Sequence, residues 1–372
     1  MRCTMACLSL VAGTLLAGCG GSAAPARYSP VSGSWADTVA AAKREGLVVV
    51  SGQAAPDAEA AFSADFKEQY PDIRVEYLAM SSPEATTKHM TERQAGRFTV
   101  DVFIHGTPDI LSTLIPEAAV EPMLTFLTGP DIQDTSKWLG GRLNFADEAA
   151  KYDLIFTGGV KIPVVYNTNL ASPAEFKSYK DLLESKWTGK IAMLDPRVAG
   201  SGNGMVTFWY RTPELGKDFI KQLLTQQKIV FTKDDRQITD WVGQGKYPIA
   251  VGASDFTAFA LKGKGVPIEL LPAETLRETS YLTAGFGSVA VMNRAPHPNA
   301  TRLCLNWLLA KSAQQGLTKL TSYPSRRTDA STAGLPESVV PKPGVQYQDS
   351  ASEATARVKT EVLEYLKSVI PG

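Results

Sequence analysis

Histidine and cysteine are scarce in this chain, three and four among 372 residues. So few imidazoles and thiols leave little from which to build a zinc or redox centre. There is no His-Glu-x-x-His pattern and no Gly-x-Ser-x-Gly elbow with partners, so a secreted hydrolase is the weakest reading. Charge of one sign is also missing: Lys+Arg and Asp+Glu both number 38, the formal net charge is zero, and long-range attraction to nucleic acid has no basis. Internal repeats, coiled-coil heptads and long charge blocks are absent as well. What remains, 44% hydrophobic and 20% charged, is enough to bury one large or two medium cores.

The first residues carry an address. Arg2 supplies a positive start, Leu8 to Leu16 a short apolar core, and Leu16-Ala17-Gly18 small residues before Cys19. Residues 1–18 therefore read as an export signal, too short and wrongly flanked for a stable transmembrane span. The stretch resembles the bacterial lipoprotein signal, which implies lipidation of Cys19 and attachment to a membrane surface, in the periplasm or on the cell surface. Removal of the signal takes Cys3 and Cys7 with it and leaves Cys304, in an apolar helical pattern, as a small buried hydrophobe. Residues 19–34 are mostly Gly, Ser, Ala and Pro with little apolar bulk, the composition of a flexible tether.

From Trp35 onward strands and helices alternate. Leu47–Val50 is an apolar strand running into Ser51-Gly52-Gln53, Ile73–Leu78 is the next, and Val100–Ile104 the third, ending at His105-Gly106-Thr107. Helices are expected over Asp57–Tyr70, Pro83–Arg97 and from Pro108 to Ile115. Gly159–Asn167 reads as one strand interrupted by Pro163, and Ser178–Leu183 as a helix. A second alternating set follows, with strands at Lys190–Leu194, Ile229–Phe231, Tyr247–Val251 and Val266–Leu270. Helices over Asn299–Ala313 and Tyr347–Val369 close the chain. This order predicts mostly parallel, mixed sheets covered by helices on both faces, with ligands beyond the carboxyl ends of the strands.

One corner stands out. Asp195-Pro196-Arg197-Val198-Ala199-Gly200-Ser201-Gly202-Asn203-Gly204 reads as strand, glycine-rich turn and helix start. Unpaired N–H groups in the first helical turn, with the positive end of the helix dipole, can seat a carboxylate or phosphate oxygen. Many α/β proteins turn a corner in the same way with no ligand there.

Taken together, Asp101-Val102-Phe103, Val164-Val165-Tyr166-Asn167, Tyr179-Lys180-Asp181-Leu182, Trp187-Thr188-Gly189-Lys190-Ile191, Gly200-Ser201-Gly202, Val242-Gly243-Gln244-Gly245 and Leu305-Asn306-Trp307-Leu308-Leu309 give the chain its family likeness. It resembles the periplasmic solute-binding proteins of ABC importers, in the ferric-iron-binding-like branch. The resemblance implies a type II periplasmic-binding-protein fold: an α/β protein of two lobes, 35–163 with 286–345 and 164–285, and a C-terminal helix within 346–372 packing on them. It implies hinge crossovers near 164–167 and 286–289, and no catalysis. The expected partners are a small-molecule solute in the cleft and a membrane permease, with the protein a monomer and no cofactor.

The iron chemistry does not follow the pattern of that branch. Where its members carry adjacent tyrosines this chain has about Ser254, Asp255 and Phe256, and Gln53-Ala54 and His105-Gly106-Thr107 replace the histidine and glutamate. No metal is therefore expected, although His105 and Asp255 would be candidates, and a ferric or metal-complex binder remains the alternative. The solute expected instead is a small organic anion or zwitterion: a phosphonate, phosphate ester or carboxylate. Its ligand-binding residues would be Ser51, Gln53, His105, Thr107, Arg197, Gly200, Ser201, Gly202, Asn203, Arg236, Ser254 and Asp255, with an arginine as the anion clamp. Tyr166, Trp209 and Tyr210 could stack on a ring or pack internally.

Overall fold

The computed structural model describes residues 33–53, 56–198, 200–285, 287–321 and 323–370. The export signal, Cys19, most of the tether and Phe286 lie outside them.

Lobe 1 is laid on β1 (Leu47–Gln53), β2 (Arg74–Met80) and β3 (Val102–His105), joined by β4 (Val120–Glu121), β5 (Asn144–Phe145), β6 (Leu154–Ile155) and β14 (Ser288–Met292). The sheet order is β2-β1-β3-β14-β6-β5, with β4 also on β14. β1 is parallel to both β2 and β3, and the late strand β14 enters antiparallel. The unbroken Val48-Val49-Val50 run is explained by burial on both faces. Val48 and Val50 pack with Phe62, Phe66 and Trp307, and Val49 with Phe103, Ile110 and Leu114. The covering helices are α1 (Trp35–Glu45), α2 (Pro56–Gln69), α3 (Ser82–Gln94), the short α4 (Thr107–Asp109) and α5 (Pro130–Gln133), α10 (Pro298–Leu308) and α11 (Lys311–Thr321). Ser34 opens α1 through a reciprocal capping box with Asp37, and Gly46, at φ 65, closes it. Cys304 lies fully buried on α10 as a free thiol.

Lobe 2 repeats the layering around β10-β9-β11-β8-β12, that is β8 (Val164–Asn167), β9 (Ile191–Leu194), β10 (Val230–Thr232), β11 (Ile249–Val251) and β12 (Ile268–Leu270). Its helices are α6 (Ser201–Arg211), α7 (Gly216–Gln226), α8 (Asp235–Gly243), α9 (Asp255–Gly263) and the terminal α12 (Glu353–Val369). α12 buries Val362 and Leu366 in the core that also holds Met205, Trp209 and Ile220. Between the lobes lies a small sheet, β15 (Gln348–Asp349), β13 (Tyr281–Thr283) and β7 (Gly159–Val160).

Several local expectations are corrected. Gly159–Asn167 is two strands, β7 and β8, because Pro163 cannot donate to a ladder. After Thr107 the chain adopts a π-helix over Ile110–Leu114, and Tyr179–Leu183 is a 3-10 helix. The long helix expected at Asn299–Ala313 divides into α10 and α11, and the final helix starts at Glu353, where Ser352 caps it. Trp209 is a core residue, edge-on to Tyr179 and Phe219, and Tyr166 is buried against Phe176.

One buried carboxylate locks the back of lobe 1. Asp101 accepts from the backbone N–H groups of Val49 (2.8 Å) and His297 (2.9 Å), and its Oδ2 is 2.8 Å from His297 Nδ1. Hydrogen bonding to Asp101 raises the His297 pKa above the ordinary histidine value. A raised folded-state pKa gives stability that is fully present below the unfolded pKa and lost as pH rises through the folded one. Chemical denaturation of the wild type and His297→Gln at stepped pH should show the wild-type advantage shrinking as pH rises above neutral. A constant advantage would contradict the pairing.

Candidate functional site

The small sheet lies on the chain crossovers between the two main sheets: β7 is followed directly by β8 of lobe 2, and β13 by β14 of lobe 1. In lobe 2 the glycine-rich corner leaves β9 and enters α6 with no side-chain cap at Gly200. The first backbone bond of the turn is Gly204 N to Gly200 O (3.0 Å), which leaves the N–H groups of Ser201, Gly202 and Asn203 ahead of the intrahelical ladder. Asn203 pins the corner by donating to the Pro196 carbonyl (3.0 Å). The turn after β11 lies directly against it: Gly252 is at φ 80, and a Cβ there would sit 3.1 Å from Gly202 Cα and N. Glycine is required on both sides, because a Cβ on Gly202 would collide with the Leu194 carbonyl.

Around this corner sits a buried polar group. Lys161, which follows β7, donates from Nζ to Asp255 Oδ1 (2.6 Å) and to the Ala253 carbonyl (2.6 Å). Asp255 Oδ2 is buried and has no hydrogen-bond partner. Desolvation raises the Asp255 carboxyl above its ordinary range, with Lys161 and the Ile162 backbone pulling the other way. The phenols of Tyr281 and Tyr323 are pushed well up, chiefly by burial and secondarily by the Asp255 charge, so both stay protonated. The Tyr281 hydroxyl also lies at α6, 2.6 Å from where a Cβ on Gly204 would be. On the other side of the small sheet, the Tyr323 ring packs beside Gly285 and Gly159, and the Gly285 carbonyl approaches Gly106 at the end of β3.

The lobe 1 edge is built on Ser51. Its Oγ lies 3.0 Å from His89 Nε2 and 3.2 Å from His105 Nε2, and all three residues are buried. The hydroxyl can donate to one ring and accept from the other, which suits two neutral imidazoles. Burial and the neighbouring His89 lower the His105 pKa to about 4. His89 Nδ1 is 3.4 Å from Glu92 Oε2, and desolvation is the largest influence lowering its own pKa.

The twelve expected ligand residues therefore fall into three groups. Gly200, Ser201, Gly202, Asn203, Ser254 and Asp255 come together in lobe 2. Ser254 caps α9 by accepting from Thr257 N, and its own N–H donates to Asp235 Oδ1 (2.6 Å). Ser51, Gln53, His105 and Thr107 share the lobe 1 edge. The two arginines are engaged elsewhere. Arg197 makes a two-pronged bond to Asp195 (2.9 Å each) beside an open concavity shared with Phe231, Lys233 and Asp235. Arg236 is 82% exposed with Asp240 3.8 Å away. Lys161, Tyr281, Tyr323 and His89 were not singled out from the sequence. The signal for Lys161 was available, as a lone charge in an apolar run.

Among the described residues no group of three His, Cys, Asp or Glu side chains could hold a metal ion. The oxygen atoms of Asp255, Tyr281 and Tyr323 are hard donors of the type that ferric iron takes, but the Lys161 ammonium already occupies Asp255 Oδ1.

A family model described as bacterial extracellular solute-binding protein matches residues 61–342. No curated protein sequence matches the chain. Solved structures share the fold at low identity. Periplasmic binding protein AfuA from Actinobacillus pleuropneumoniae, with exogenous fructose-6-phosphate bound, is 16% identical with a TM-score of 0.61, covering 88% of this chain and 99% of that one. Trichodesmium IdiA (FutA) in complex with iron and citrate is 14% identical with a TM-score of 0.66, covering 87% and 99%. Iron-bound HitA from Pseudomonas aeruginosa is 14% identical with a TM-score of 0.61, over the same shares. With a matched region spanning most of both lobes, this chain belongs to the bacterial extracellular solute-binding proteins, a transport-associated and non-catalytic family that works outside the cytoplasm.

Proposed function

We propose that the cleft captures a small organic anion or zwitterion for delivery to an ABC permease, the protein being held at the membrane by a lipid on Cys19. The observation that carries this reading is the start of α6, uncapped by any side chain, beside the Gly252 turn. Peptide N–H groups and the helix dipole would receive the negative end. Lys161 adds positive charge on the Ala253 carbonyl next to that turn. The reading does without an arginine clamp: Asp195 takes the fork of Arg197, and Arg236 stands 82% exposed on α8.

A second reading, a ferric ion or its complex with a small chelator, is favoured by the iron named for HitA and, with citrate, for FutA. The Asp255, Tyr281 and Tyr323 oxygens support it; the ammonium of Lys161 and the protonated phenols oppose it.

Ser201→Pro separates the two. Proline fits the first helical position and removes one N–H while leaving the helix intact. Loss of one charge-assisted bond should cost about 1.5–3 kcal/mol of anion affinity, read by calorimetry with methylphosphonate, glycerol phosphate and citrate, at unchanged melting temperature. Anion affinity that does not move, together with tight binding of ferric nitrate or ferric citrate, would replace the anion reading by the iron one.

A further inference from the structure

The N-terminus of α3 in lobe 1 is another helix start with no side-chain cap, and two of its own buried hydroxyls, on Ser82 and Thr86, lack partners. Ser81 at its N-cap makes no side-chain cap bond. Ser82, Thr86 and His89 fall on one face of the helix, four and then three residues apart. His89 fixes where that face lies, because its Nε2 bonds Ser51 Oγ on β1 (3.0 Å). One and two turns toward the helix start, Thr86 and Ser82 must therefore lie over the end of β1, on the side shared by Ser51 and Gln53. The register of β1 on β3, Ser51 opposite Phe103, carries His105 to the same place. Thr86 Oγ1, Ser82 Oγ, Gln53 Oε1 and His105 Nδ1 are all buried, and none has a hydrogen-bond partner. Ser82 and Thr86 are 9% and 7% exposed and His105 fully buried. Four such atoms on one face of lobe 1 are costly unless something satisfies them.

We infer that this cluster is a solute subsite for hydroxyl groups, so that the captured anion is polyhydroxylated. The inference rests on the anion reading for the α6 end only. Two hydroxyls, an amide and a neutral imidazole can each donate or accept, which matches alcohols. No cationic side chain belongs to the cluster, and Glu84 in the first turn of α3 disfavours a second anionic end there. The solute would then lie with its charge on α6 and its hydroxylated part under α3.

Calorimetry on the full chain tests this with glucose 6-phosphate and glycerol phosphate against methyl phosphate and inorganic phosphate, with free glucose as a neutral arm. Thr86→Val and Ser82→Ala are small changes whose folding is checked by melting. The hydroxylated esters should bind at least tenfold more tightly than methyl phosphate. Each variant should lose about five- to tenfold for the esters and nothing for methyl phosphate. Methyl phosphate binding as tightly as the esters, or esters indifferent to both variants, would overturn the subsite and leave the anion reading standing. Glucose binding that Thr86→Val weakens, with no phosphate bound, would support the subsite and end the anion reading. No binding in any arm would overturn both.

Discussion

Lys161→Met is expected to destabilise the protein by about 3–5 kcal/mol, because it leaves the Asp255 carboxylate buried without its counter-charge. The pair is closed to solvent on both sides, with the side chains 5% and 4% exposed. Lys161 also holds the Ala253 carbonyl, so the turn that packs on Gly202 loses a tie as well. Asp255 in the variant should escape the penalty by taking up a proton. A carboxyl whose folded pKa is raised contributes stability that is present at low pH and lost as pH rises through that pKa. The deficit of the variant relative to the wild type should therefore be smaller at pH 5 than at pH 8. Replacing both partners, Lys161→Met with Asp255→Leu, should recover much of the loss, since well-packed apolar residues often serve as well as a buried ion pair. Urea unfolding followed by tryptophan fluorescence measures all three. A single variant within 1 kcal/mol of the wild type at pH 8 would mean that the pair contributes little and would overturn the expected cost of breaking it.

The second large effect is acid sensitivity centred on His105. With its folded pKa depressed to about 4, the ring resists protonation that the unfolded chain accepts near 6.5. A depressed pKa on a base leaves stability whole above the unfolded value and removes it as pH falls toward the folded one. Over that interval the loss is roughly 3 kcal/mol, and His89, shifted the same way, adds to it. Both rings face the single Ser51 hydroxyl, so protonating the two would place like charges on either side of one oxygen. Stability measured from pH 7 down to pH 4 should fall steeply in the wild type and much less in His105→Gln. Parallel profiles would place the acid sensitivity elsewhere, for instance on the Asp131 and Asp195 carboxylates held low by arginine.

The alternation of strand and helix was legible where the strand core is an apolar run, as in β1, β9 and β11, and the break a Gly or Pro turn; two-residue strands such as β5 and β15 left no such mark. Gly200 to Gly204 was legible for the same reason: turn chemistry is local, and the structure sets that corner against the Gly252 turn. Side-chain direction is not local. Arg197 had a carboxylate two residues earlier, and Asp195 takes its whole fork. Arg236 could have been placed outward from α8 itself, whose buried positions are Ile238, Thr239 and Val242. The Lys161–Asp255 pair spans 94 residues, and no pattern in the chain joins its ends. Ser82 and Thr86 look like ordinary solvent-facing helix residues until α3 is laid on β1. The π-helix at Ile110–Leu114 had no signal in apolar spacing, because a short segment fits several helical periods equally well.

The thiol on α10 has a practical use. Burial drives the Cys304 thiol well up, so it stays protonated and shielded from alkylating reagents. Among the described residues it is the only cysteine, whereas Phe256, in the first turn of α9 beside Asp255, stands 67% exposed. A maleimide dye attached through Phe256→Cys would therefore label one position of the folded body. It would turn solute occupancy into an optical signal without any change to the native thiol.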